Sequence, residues 1–367
     1  MPRWALSQWL RPLLPLQFLA VSASFLYPPL IDLFHQLDSR LPHGDYRIPS
    51  LLRTCNGSLL VFVAGRMHRD DGSPTIQLVR RSVDGGATFS NATVLLEDPT
   101  NATSFGGVPV LDPATCDIIY MHNQERQGPA CNSCWQYIMR SSDDGVTWSA
   151  PVRANTTGPP NATWGGGLSH GIALVRGPHV GRLLVPLRHD CGCGDLRASF
   201  VIYSDDHGAT WAGGDKLVLL PADGGGWTEC EAAELKNGSV LLTSRNFYNT
   251  ESGYGPRLFA RSDDGGQTWA ANWSAADLPD PYCEASITAA DDGTLFFANP
   301  SNARGRYNLS VHLSTDSGLT WPQSAVFYPG GAAYSDIQLM SDGSVAVVFE
   351  RDNYNTIAFG ILPPTSR

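Results

Sequence analysis

The sequence predicts an all-β chain: a six-bladed β-propeller of four-stranded antiparallel blades, closed by an N-terminal strand in the last blade. Three observations lead there. An octapeptide, Ser-x-Asp-x-Gly-x-Thr-Trp, is written five times: SVDGGATF at 82–89, SSDDGVTW at 141–148, SDDHGATW at 204–211, SDDGGQTW at 262–269 and STDSGLTW at 314–321. Its copies recur at intervals of about 60 residues, and self-similarity at a fixed period marks a repeat architecture. Asn-Gly and Asp-Gly pairs stand between alternating apolar runs, the strongest short-range hairpin signal. Glycine (37) and proline (26) are plentiful and no long amphipathic helix is written, as expected of many short strands and turns.

Taken in order, residues 1–23 combine Arg3 and Arg11 with an apolar run from Leu13 and a Val-Ser-Ala step at 21–23. They read as a secretory signal cleaved after Ala23, which leaves 24–367 as one propeller domain. The apolar run is short and broken by Pro12 and Pro15, which argues against a membrane span. LIDLFH (30–35) is assigned to the outer strand of the last blade. Blade one runs YRIPSLLRT (46–54), a turn at Asn56-Gly57, and SLLVFVAGR (58–66), followed by a loop, a third strand and the first octapeptide. The plan recurs as AAEL–KNG–SVLLTSR (232–245), ASITAA–DDG–TLFFANP (285–300) and SDIQLM–SDG–SVAVVFE (335–350). GVPVLDPATCDIIYMH and GIALVRGPHVGRLLVPLRH supply blades two and three less cleanly. The last blade has three C-terminal strands and no octapeptide, so it needs the N-terminal strand to close the ring and shield its edge. Within the octapeptide the Asp accepts from turn N–H groups, the Gly takes φ > 0, and the aromatic residue plugs the space beneath. That is a structural device rather than a chemical one.

A net charge of −10 argues against nucleic acid and against a polybasic membrane patch. An anionic ligand would have to be captured by a local cluster of cations. Eight Asn-x-Ser/Thr acceptors occur, at Asn56, Asn91, Asn101, Asn155, Asn161, Asn237, Asn272 and Asn308; Asn56 and Asn237 are better read as turn residues. With eight cysteines, an even number, they indicate an oxidising secretory route, secreted or lysosomal.

The parse has a topological consequence. In each blade the first–second and third–fourth turns share one face of the disc, while second–third and inter-blade connections share the other. On that second face fall Arg47, Arg66, Asp70, Asp71, Glu229, Arg245, Arg306, Tyr334 and Glu350. YRIP, the five octapeptides, Glu229-x16-Arg245, Arg306-Tyr-Asn-Leu and Tyr334-x16-Glu350, in that order, resemble the exo-α-sialidases (neuraminidases) of glycoside hydrolase family 33, whose octapeptide is called the Asp-box. The resemblance runs from about Leu30 to the C-terminus.

The resemblance implies that Arg47, Arg245 and Arg306 grip the carboxylate of a sialic acid through charge-assisted forks. Three guanidinium groups brought to about 5 Å would repel by about 3 kcal/mol per pair at an effective dielectric of about 20, which is hard to justify without an anion. Glu350 then orients Arg47 and offsets part of that repulsion. Tyr334 is the implied nucleophile and Glu229 its base; a neutral phenol can approach an anomeric carbon that already bears a carboxylate. Glu231 is the neighbouring alternative base, but the 16-residue step to Arg245 selects Glu229. Asp71 is the acid/base candidate, with Asp70 one residue away, and Arg66 contacts substrate or orients Asp71. No metal and no cofactor is implied, and the partners are sialylated glycoconjugates.

Under the same parse the cysteines pair between neighbouring blades: Cys55 with Cys116 first of all, then Cys230 with Cys283, and Cys131/Cys134 with Cys191/Cys193. A four-cysteine zinc site at 131, 134, 191 and 193 is the rival for the last group. Two rivals remain for the whole chain: a non-catalytic Asp-box propeller that binds glycans or peptides, and an enzyme that transfers sialic acid to another sugar.

Overall fold

The computed structural model describes residues 27–38, 44–71, 73–97, 103–126, 135–157, 166–189, 198–218, 226–246, 249–250 and 253–364. The 1–23 leader, Cys131, Cys134, Cys191, Cys193, Asn101 and Asn161 lie outside the described residues. The chain is all-β and propeller-like. Antiparallel four-stranded sheets are built from Asp45–Arg53, Leu59–Arg66, Thr75–Ser82 and Thr93–Leu96, and from Thr103–Leu111, Ile118–Arg126, Trp135–Ser141 and Val152–Arg153. A further four-stranded sheet holds Trp227–Glu234, Val240–Asn246, Arg257–Ser262 and Ala271–Ala275.

Between them, Ile172–Ala173, Leu183–His189, Ala198–Ser204 and Trp211–Gly213 make a sheet that a fifth strand, Thr156–Thr157, joins in parallel. Its short first strand fits the weak signal there. The remaining strands form one curled seven-stranded sheet, where separate fifth and sixth blades were expected. The cause is the 17-residue strand Gln323–Leu339, which pairs with Tyr307–Ser314 through its first half and with Val345–Arg351 through its second. Ile31–His35 pairs antiparallel with Thr356–Leu362, so the N-terminal strand closes the last sheet as expected.

The five octapeptides fold alike. In the first, Ser82 Oγ donates to Asp84 Oδ1 (2.8 Å) and accepts from Gly86 N (2.9 Å), while Thr88 donates its N–H (2.9 Å) and Oγ1–H (2.5 Å) to Asp84. Those bonds hold the Asp84 carboxyl down at about 2. The glycines take φ from 77° to 91° and press on the preceding blade: a Cβ at Gly145 would overlap Leu60, and one at Gly208 would meet Ile119. Trp211 is fully buried, and Trp148 packs edge-on against Phe62 of the blade before it (centroids 5.9 Å). The octapeptide is therefore a clasp between blades as well as a turn.

The innermost strands leave backbone N–H groups facing the axis, and carboxylates from neighbouring blades take them up. Leu51 N donates to Asp336 (2.7 Å), His170 N to Glu231 (3.0 Å) and Ser335 N to Glu284 (3.0 Å). Cys55 and Cys116 form a disulfide between the first two blades. The pairing expected of Cys230 with Cys283 does not form: both are free, buried thiols. The Cys230 thiol turns to the Leu187 carbonyl (3.3 Å) of the preceding sheet, whereas Cys283 packs with Leu168 and Tyr334. Burial pushes the Cys230 thiol up to about 12.

Candidate active site

Three inner strands carry site residues, and each is kinked where it does so. The pairing register shifts between Arg47 and Ser50, between Trp227 and Cys230, and between Ala332 and Ser335. These irregularities re-aim Arg47, Glu229 and Tyr334. Ile48, beside the first, has φ 57°, a left-handed backbone that a β-branched residue adopts only under constraint. Its N–H is held by Glu350 Oε1 (2.9 Å).

Tyr334 is the hub. Its hydroxyl donates to Glu229 Oε1 at 2.5 Å and accepts from Arg245 Nη1 at 2.9 Å. Arg245 Nη1 also reaches Glu229 Oε2 (2.8 Å), and the Arg47 and Arg306 guanidinium carbons both lie 5.5 Å from the Tyr334 ring centroid. Arg47 donates Nε to the fully buried Glu350 (2.6 Å). Arg66 Nη1 donates to Asp71 (2.8 Å), whose carboxylate is exposed. Arg47, Arg66, Asp71, Glu229, Arg245, Arg306, Tyr334 and Glu350 are thus gathered at one end of the axis. A cavity of about 420 Å³ there is bordered by Arg66, Asp71, Glu229, Arg245 and Tyr334, with Gln77, Asn123 and a glycine-rich wall at Gly106, Gly107, Gly166 and Gly167.

The two alternatives lie elsewhere. Glu231 shares the axial face of its strand with Glu229 but sits deeper, bound to His170 N (3.0 Å) and Ile287 N (3.5 Å). With His170 and Asp336 it forms a buried group whose ligand-type atoms lie within 4.8 Å of one another; the bonds to Leu51, His170 and Ile287 show these carboxylates serving the backbone. Asp70 contributes its carbonyl to the Ser73 N–H and does not border the cavity.

Electrostatics separate the charges of the central pair. Burial and the negative Glu229 push the Tyr334 phenol well above its ordinary range, against the pull of Arg245. Desolvation raises the Glu229 carboxyl, but Arg245 and Arg188 outweigh it and hold the group below the usual carboxylate range. The proton therefore resides on the phenol and Glu229 is an ionised acceptor. At Asp71 partial desolvation is likewise outweighed, by Arg66 with Arg47 and Arg188 beyond, so its carboxyl is lowered.

Sequence reasoning missed three contributors. Arg188, on the second strand of the third blade, reaches Glu229 Oε1 at 3.3 Å. The rule that singled out Arg66 and Arg245, a cation ending a second strand, would have found it. Tyr282 lies under Arg245 (3.6 Å) and gives its carbonyl to Arg306 (2.9 Å); Tyr354 stacks on Arg47 (4.3 Å) and accepts from Arg306 (3.2 Å). Both lie in loops with no motif.

Fold and site define a propeller-like Asp-box protein with a cation-lined axial mouth. The chain belongs to the BNR repeat-like domain family, which it matches over residues 57–347. It is 35% identical to the sialidase of Micromonospora viridifaciens over 83% of this chain and 50% of that protein, so it spans half of that relative's length. It is 27% identical to Sialidase-2 of Cricetulus griseus over 88% of this chain and 94% of that protein. The Hadza microbial sialidase Hz136 shares the fold, with a TM-score of 0.73 at 24% identity, over 88% of this chain and 66% of that one.

Proposed function

We propose that the chain is an exo-α-sialidase that hydrolyses terminal α-linked sialic acids from glycoproteins, glycolipids or oligosaccharides, with retention. The observation that carries this reading is the 2.5 Å bond from the Tyr334 hydroxyl to an ionised Glu229, with Arg47, Arg245 and Arg306 around the same ring. The sialidase relatives support it. In this scheme the three arginines hold the substrate carboxylate. The Tyr334 oxygen bonds to the anomeric carbon as its proton passes to Glu229, and the glycosidic bond breaks as Asp71 protonates the leaving oxygen. Water, deprotonated by Asp71, then bonds to the anomeric carbon as the bond to the tyrosine oxygen breaks and Glu229 returns its proton to that oxygen. Glu350 and Arg66 position Arg47 and Asp71.

The same reading takes the fold as six blades, the seven-stranded sheet being two blades joined by the continuous strand Gln323–Leu339. It also takes 24–367 as one catalytic domain behind a cleaved leader, in a secreted or lysosomal protein that acts on sialylated glycoconjugates and not on nucleic acid. Turnover of a fluorogenic sialoside by the purified protein tests it, together with labelling by a 2,3-difluorosialic acid trap. The label is expected on the peptide containing Tyr334, and Tyr334→Phe is expected to lose both the label and most of the turnover, by about 100-fold or more. Binding without turnover would favour the non-catalytic propeller. Product appearing on an added sugar rather than on water would favour transfer.

A further inference from the structure

Among the described residues, Arg306 is the member of the arginine cluster with no carboxylate partner. Arg47 is paired with Glu350 (2.6 Å) and Arg245 with Glu229 (2.8 Å). The Arg306 guanidinium instead donates Nη2 to the Tyr282 carbonyl (2.9 Å) and Nη1 to the Tyr354 hydroxyl (3.2 Å). The Tyr354 ring meanwhile lies against Arg47, whose Cζ is 4.3 Å from its centroid. One side chain thus holds two cations of the cluster, one through its hydroxyl and one through its π face.

The backbone that carries Tyr354 is strained. Asp352, Asn353 and Tyr354 have φ of 54°, 57° and 68°, three successive left-handed residues without a glycine. Asp and Asn visit that region through local hydrogen bonds, but a bulky Tyr does not do so readily. Hairpin turns elsewhere in this chain use Gly57, Gly238, Gly293 and Gly343 for positive φ. Neighbouring elements clamp this one instead. Arg69 Nη2 donates to the Asn353 carbonyl (2.6 Å) and to Asn355 Oδ1 (2.9 Å), and Tyr328 donates to Asp352 (2.8 Å). A strained conformation persists where its surroundings over-determine it, and here the strain delivers the phenol to the arginines.

We propose that Tyr354 is a positioning residue for the substrate carboxylate, acting through Arg306 and Arg47. Its hydroxyl fixes the Arg306 fork and its ring fixes the Arg47 plane, so that both address one anion. This rests on the reading that the arginines bind a sialic acid carboxylate, and it names the residue that sets their aim. A second cavity of about 160 Å³, bordered by Arg306, Glu350 and Tyr354, gives Arg306 room to swing once the hydroxyl is removed.

The test is steady-state kinetics on a fluorogenic sialoside, with calorimetric binding of free N-acetylneuraminic acid, for Y354F, R306K, the double variant and Y328F. Tyr354→Phe is expected to raise KM and weaken acid binding about tenfold, the scale of a lost hydrogen bond to a charged group, with kcat within about twofold. In the Arg306→Lys background, where the fork is gone, it is expected to add less than about twofold. Tyr328→Phe removes one clamp on that turn from the neighbouring strand without touching the cluster, and is expected to raise KM by less than Tyr354→Phe does. The proposal is overturned if Y354F leaves KM and acid binding unchanged, if its effect is fully additive with R306K, or if Y328F raises KM equally. An unchanged KM in R306K itself would instead remove the arginine reading, and this inference with it.

Discussion

Asp71 and Glu229 are two carboxylates lowered by arginines, yet the proposed chemistry asks one to be protonated and the other ionised. Because Arg66 holds the Asp71 carboxyl low, the acid form is populated only towards acidic pH. The rate on alkyl sialosides should therefore fall as pH rises past that carboxyl, and fall less for a nitrophenyl sialoside, whose leaving group departs without a proton. Asp71→Asn should cost about 100-fold to 10,000-fold on the alkyl substrate and much less on the aryl one. Equal losses on both would remove Asp71 from the acid role. Most of this site was legible residue by residue, because Tyr334, Glu229 and the arginines stand at strand ends that a hairpin parse assigns to one face. Tyr282 and Tyr354 were not, since a loop aromatic carries no periodicity and its aim depends on local backbone such as φ 68° at Tyr354.

Two devices recur at the scale of the element. Bulges kink the three inner strands where Arg47, Glu229 and Tyr334 leave them, with Pro49 inside the first and glycine runs at 224–226 and 330–331 written just before the other two. The Asp-box turns were written plainly, though their inter-blade contact was not. Gly145 has φ 82° with Leu60 against it, whereas Gly57 has φ 80° with open space around it. Both glycines relieve backbone strain, but only Gly145 also makes room for a neighbour. Gly57→Ala is expected to cost about 1 kcal/mol, and Gly145→Ala about 1–3 kcal/mol more through overpacking. Urea midpoints of the two variants measure the difference, and equal costs would show that the clasp has slack.

Across the whole molecule, acidic side chains line the axis from several blades. Glu284 is buried, accepts from Ser169 (2.7 Å) and Ser335 N (3.0 Å), and is pushed up to about 8 by desolvation. A carboxyl whose folded pKa exceeds its unfolded one stabilises fully below the unfolded value, and that contribution is lost as pH rises towards the folded one. Stability should therefore fall between about pH 4.5 and 8, by up to about 1.4 kcal/mol per pH unit from this group. Glu284→Gln should flatten that slope; chemical denaturation across the range would show it, and an unchanged slope would assign the proton elsewhere. Closure belongs to this scale too: Ile31–His35 completes the sheet of Thr356–Leu362, joining the two ends of the described chain.

The sequence by itself determined the repeat, the turn chemistry, the closing strand, the Cys55–Cys116 bridge and the face on which the charged residues collect. All of these depend on local pattern or on the order of hairpins. Only the tertiary structure decided that Cys230 and Cys283 stay apart and that Tyr282 and Tyr354 join the site. Those outcomes turn on side-chain direction and on loop backbone conformation, and neither is encoded in residue spacing.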